Sequence, residues 1–106
     1  MATLNKYTTY SYTFANPNTS GDTILIPAVG NKRIRIISIL AVAAGVVTVK
    51  FKSGTTIISG DCDLVANSGF SHESIVGIFL TEVNKPFTIN LSTSTKVGLT
   101  ITYELI

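Results

Sequence analysis

A chain of 106 residues holds one domain, and at this length roughly two thirds of the unfolded surface is buried on folding, enough for a core without disulfide staples. Eight Lys and Arg against six Asp and Glu leave a net charge of +2, which excludes the concentrated basic stripe needed to grip a nucleic-acid backbone. Charged residues are only 13% of the chain, about half the share in an average soluble domain, so part of the surface is expected to lie against other subunits.

About a third of the residues are Thr, Ile or Val, whose branched side chains suit a pleated surface, and no helix of useful length is predicted. Along the chain, residues 9–15 alternate Tyr10, Tyr12 and Phe14 with Thr9, Ser11 and Thr13, the pattern of a strand. Within residues 1–20 this segment reads either as an edge strand or as an N-terminal arm. The turn cluster Asn16-Pro17-Asn18-Thr19-Ser20-Gly21-Asp22 follows, then a strand from Thr23 that Pro27 stops. Gly30-Asn31 turns the chain into a long strand over residues 32–43. There Ile34, Ile36, Ile37, Ile39, Leu40, Ala41 and Val42 are apolar on both parities, as expected of a strand covered on both faces.

Gly45 ends that strand. The next, over residues 46–52, alternates Val47, Val49 and Phe51 with Thr48, Lys50 and Lys52, one buried face and one wet face. After Ser53-Gly54 comes a short strand over residues 55–59, then an irregular stretch over 59–74 with one or two short strands. A further strand is expected over residues 75–83. Asn84-Lys85-Pro86 turns, Phe87, Ile89 and Leu91 alternate with Thr88, Asn90 and Ser92, and the last strand alternates Val97, Leu99, Ile101, Tyr103 and Leu105 with polar residues or glycine. Eight or so short antiparallel strands with turns between them point to an all-β protein, a single antiparallel β-sandwich domain over 1–106 of jelly-roll type.

Little in the sequence carries chemistry. His72, the single histidine, has Glu73 beside it, but adjacent strand residues face opposite ways, and no nucleophile-elbow motif is present. Asp61-Cys62-Asp63 mixes hard and soft ligands, with no second cysteine and no calcium-loop spacing. No enzyme activity, metal or cofactor is expected. Cys62 is alone, so no intrachain disulfide forms. The first six residues lack a basic start followed by an apolar core, and the longest apolar run is about half of what spans a bilayer, so neither a secretory leader nor a membrane contact is expected.

Two clusters remain as partner-binding candidates. The aromatic stripe Tyr10, Tyr12 and Phe14, with Tyr7 ahead of it, reads as intersubunit packing, with a sugar-stacking platform as its alternative. Lys32, Arg33 and Arg35 form the one basic cluster, a solvated strand end or a contact for acidic groups.

From Lys32 onward the motifs fall in a recognisable order: the basic start at Lys32, Val47-Thr48-Val49-Lys50-Phe51-Lys52-Ser53-Gly54-Thr55-Thr56, the Gly60-x-x-x-Leu64-x-Ala66-Asn67-x-Gly69 loop, and Leu91-Ser92 followed by Val97-Gly98 and Tyr103. In this order the chain resembles small β-sandwich virion proteins of tailed phages, of the capsid decoration or cement type. The resemblance covers about two thirds of the domain. It implies a protein made in the host cytoplasm and carried on the virion surface, which binds the major capsid protein, stabilises the head and forms a homo-oligomer, often a trimer. A tail or fibre component is the neighbouring reading, and a carbohydrate-binding module the alternative of another class. The sequence departs from the pattern after Gly69, where Ser71-His72-Glu73-Ser74 stands in place of an aromatic loop.

Overall fold

The computed structural model describes residues 10–106, and Tyr7 and Thr9 lie outside the described residues. Ten strands follow in chain order: β1 (Ser11–Ala15), β2 (Gly21–Ile26), β3 (Ile34–Ala43), β4 (Val47–Ser53), β5 (Thr56–Ile57), β6 (Cys62–Leu64), β7 (Gly69–Glu73), β8 (Phe79–Leu80), β9 (Phe87–Leu91) and β10 (Val97–Leu105). They form two antiparallel sheets. One, sheet A, runs β1-β10-β3-β7 with β8 also on β3; the other, sheet B, runs β2-β9-β4-β5 with β6 also on β4.

The pairing nests from the ends of the chain inward. β1 pairs β10, β2 pairs β9, β3 pairs β7 and β8, and β4 pairs β5 and β6. A long antiparallel hairpin wound around two sheets in this way is a jelly roll, and it makes the domain an all-β sandwich.

The core lies between the sheets, where the inward parities meet: Ile34, Ile36, Ile39, Ala41, Leu99 and Ile101 from sheet A, and Val47, Val49, Phe51, Phe87, Ile89 and Leu91 from sheet B. Phe51 and Phe87 stack with centroids 5.4 Å apart, and Phe79 and Phe70 of sheet A lie 5.4 and 6.3 Å from Phe51. This aromatic cluster bridges the sheets, and each fully buried ring stabilises the fold by about 1.5–3 kcal/mol. Two buried hydroxyls have definite partners. Thr81 Oγ1 accepts the Ile34 N–H at 2.8 Å, and Ser53 Oγ accepts the Glu82 N–H at 2.9 Å, which ties the chain after β8 to both sheets.

The long apolar stretch over residues 34–42 is not covered on both faces. Ile36 lies opposite Tyr103 and Ser38 opposite Thr102, so Ile37 is an extra residue, a β-bulge, in β3. The bulge moves the core-facing set from the even positions Ile34 and Ile36 to the odd positions Ile39, Ala41 and Ala43. Leu40 and Val42 consequently face outward and are about half exposed. Apolar residues on both parities thus reflect a shifted register plus two exposed side chains.

The continuous strand expected over residues 75–83 is also absent; only β8 is extended there. The Gly77 N–H bonds the Ser74 carbonyl at 3.0 Å, closing a turn, and Gly77 adopts φ of 101°, a conformation that side chains disfavour. Ile75 and Val76 occupy the tip of that turn and are exposed.

Candidate docking face

The outer surfaces of the two sheets differ in kind. On sheet A the register sets Phe14 beside Thr100, Thr100 beside Leu40 and Leu40 beside Ser71. The next row holds Tyr12, Thr102, Ser38 and Glu73. Tyr12 is 74% and Phe14 80% exposed, and Leu40 and Val42 extend the apolar surface toward the middle of the sheet. A shallow depression of about 480 Å³ lies between β3 and β7, lined by Ser38, Leu40, Ser71, His72, Glu73 and Thr100. The face is apolar and hydroxylic over most of its width. Of its carboxylates, Glu73 stands at the β7 edge and Glu104 is paired with Arg35.

Sheet B presents a surface whose charges are already paired. Lys52 Nζ lies 2.7 Å from Asp22 Oδ2, and the Asn90 amide donates to Asp22 Oδ1 at 2.8 Å. These hydrogen bonds, from Lys52 first and Asn90 second, hold the Asp22 carboxyl below its ordinary pKa. Thr48 donates to Asp63 at 2.7 Å, and Lys50 lies 3.8 Å from Asp61. Cross-strand neighbours on this face are thus each other's polar partners.

The aromatic stripe is real in space: Tyr12 and Phe14 stand on one face of β1, and Tyr10, just before the strand, is less exposed. The basic cluster divides. Arg35 Nε donates to Glu104 Oε1 at 2.6 Å across the β3–β10 ladder, and its stem lies where a Cβ on Gly77 would sit. Arg33 Nε donates to the Thr81 carbonyl at 2.8 Å. Both guanidiniums are therefore engaged inside the molecule, and Lys32 is the exposed cation of the three. The Ser11–Tyr103 and Arg35–Glu104 pairings bring Tyr10 and Arg35 toward the same end of sheet A, on either side of β10.

The remaining chemical candidates do not converge. His72 is exposed and opposite Ile39, whereas Ser71 and Glu73 alternate with it along β7. Burial pushes the Cys62 thiol pKa up, and the neighbouring Asp61 and Asp63 push it the same way, so the thiol is held from its nucleophilic form. Among the described residues no three His, Cys, Asp or Glu side chains come together to hold a metal.

Leu40 and Val42 complete the candidate face, yet the sequence pattern alone reads them as buried. The signal was the parity switch at Ile37, which is visible only once β3 is registered on β10. Glu104 as the partner of Arg35 is likewise a product of register, 69 residues apart in the chain. No protein-family model matches the chain, and no curated protein matches it.

Proposed function

We propose that this chain is a non-catalytic virion protein of the capsid decoration, or cement, type, which binds a lattice of major capsid protein and stabilises the head. The observation that carries the reading is the asymmetry of the sandwich. Both sheets pair outer charges within the chain, but sheet A gathers Tyr12, Phe14, Leu40 and Val42 on one face, whereas the exposed Ile24 and Ile57 of sheet B stand among its paired charges. Exposed apolar side chains gathered on one face in this way mark an interaction site. Low charge and repeated copies favour such an interface, because many weak contacts on a lattice act together as one strong one.

In this reading the outer face of sheet A seats on protein, and Lys32 at the entrance to β3 meets acidic groups of the capsid. Arg33 and Arg35 support the basic end from within. The jelly roll hosts many functions and argues for none by itself. The resemblance of the Lys32–Tyr103 motifs to tailed-phage decoration proteins supplies the partner.

The test is compositional. Particles purified from the source that carries this gene should contain the protein in fixed ratio to the major capsid protein, and stripping it should lower the temperature at which heads release DNA. Heads that lack the protein, or that are equally stable without it, contradict the reading.

A further inference from the structure

We infer that β1 is a self-pairing edge, through which two copies of this chain join antiparallel about Thr13, setting Tyr12 of each copy against Phe14 of the other. The inference does not rest on the proposed function and concerns the isolated protein.

Backbone direction comes first. The Val97 N–H bonds the Pro17 carbonyl at 3.0 Å, and Ser11, Thr13 and Ala15 lie opposite Tyr103, Ile101 and Leu99 in the same register. Hydrogen-bonded pairs alternate along an antiparallel ladder, so the odd residues of β1 bond β10. The N–H and C=O groups of Tyr12 and Phe14 therefore point away from the sheet, and among the described residues no strand pairs with that side. A row of such groups is a ready template for another strand.

The other outer strands are blunted. β2 carries Asp22 and a register shift before Ile26, β5 and β6 are two and three residues long, and β7 ends in His72-Glu73. β1 has neither charge nor proline nor bulge along its five residues. Its sequence is also close to a palindrome in character, Ser-Tyr-Thr-Phe-Ala, so pairing about Thr13 places aromatic on aromatic twice and hydroxyl on hydroxyl at the centre. Directly opposed aromatic residues are favourable cross-strand pairs. The alternative register about Tyr12 would set Phe14 against Tyr10, which lies outside the strand, so pairing about Thr13 keeps both aromatic pairs within β1.

The contact is isologous and closes at two copies, where the virion resemblance implies three. It leaves the outer faces of both copies open and joins the two sheets A into one wider sheet. Four backbone hydrogen bonds and two aromatic pairs fall short of the roughly 1,600 Å² of a standard stable interface, so the dimer is concentration-dependent.

Two variants test it. Thr13 would face its own copy at about 4.5 Å between Cα atoms, within disulfide reach, so Thr13→Cys in a Cys62→Ser background should cross-link into a dimer on oxidation, whereas Thr56→Cys on the opposite sheet should not. Tyr12→Pro removes an N–H that β10 does not use and should leave the fold intact, as a proline at a sheet edge does. By light scattering the natural chain should rise toward twice its 11.3 kDa mass with concentration, and Tyr12→Pro should stay at one chain. A natural chain that stays monomeric throughout overturns the inference. So does an oligomer that survives Tyr12→Pro, or a Thr13→Cys chain that fails to cross-link.

Discussion

Arg35 on β3 and Glu104 on β10 face each other across the ladder, the Arg35 Nε donating to Glu104 Oε1 at 2.6 Å with the carboxylate side chain only 11% exposed. The pair sits just past the β-bulge at Ile37, where the two strands change register. Removing Arg35 strands a nearly buried carboxylate, so Arg35→Ala should destabilise the fold by about 2–3 kcal/mol, short of a fully buried pair because the guanidinium is a third exposed. Glu104→Gln keeps an acceptor and should cost less. Denaturant unfolding of both variants checks the order, and equal losses would show that the Glu104 charge is not what Arg35 compensates.

Thr81 is fully buried, and its hydroxyl accepts the Ile34 N–H. Thr81→Val is nearly isosteric but leaves that N–H without a partner, so a loss of about 1–3 kcal/mol is expected. Amide exchange should report it locally as faster exchange at Ile34, the first residue of β3.

Gly69 begins β7 directly beside β3, and a Cβ there would stand 1.8 Å from the Ala41 carbonyl oxygen, an impossible contact with backbone. Gly69→Ala should therefore cost about 3 kcal/mol or more, or detach β7 and uncover Phe70. Gly60→Ala, with open space around it, should be close to neutral. Thermal unfolding of the two variants side by side makes the comparison.

The Lys52 and Asn90 hydrogen bonds lower the pKa of Asp22 in the folded protein. Their stabilisation is fully present above the ordinary aspartate pKa of about 3.9 and fades as pH falls from there through the lower folded value. Because the carboxylate is partly exposed, the effect should be under about 1 kcal/mol and weaken with salt. Asp22→Asn should flatten the decline in stability below about pH 4 and leave the salt dependence at pH 7 reduced.

Much of the fold was legible because alternation is local. Val47, Val49 and Phe51, or Val97, Leu99 and Ile101, announce their buried faces over a few residues, and the turns at Gly54 and Asn84 punctuate them. What the sequence hid was non-local. A bulge at Ile37 cannot be distinguished from a doubly covered strand until Ser38 is seen opposite Thr102 and Ile36 opposite Tyr103. The residues 75–83 read as strand because Ile75, Ile78 and Phe79 are strand formers, yet Gly77 and the Ser74 carbonyl make a turn there. Of the candidate face, the Tyr12 and Phe14 stripe was visible as a pattern, whereas Leu40 and Val42 joined it only through register. The basic cluster was visible too, but not the internal partners that Arg33 and Arg35 find in Thr81 and Glu104.

If the outer face of sheet A seats on a capsid lattice, its exposed apolar residues carry the binding. The most direct measurement is co-sedimentation of purified protein with expanded heads lacking it, comparing Leu40→Ser with Val42→Ser in one chain against Ile24→Ser on the outer face of sheet B. All three positions are already about half exposed, so the fold should tolerate each change. The Leu40 and Val42 double variant should lose binding by tenfold or more, about 1.4 kcal/mol, while Ile24→Ser should bind as the natural chain does. Equal binding by both variants, or loss confined to Ile24→Ser, would contradict that seating.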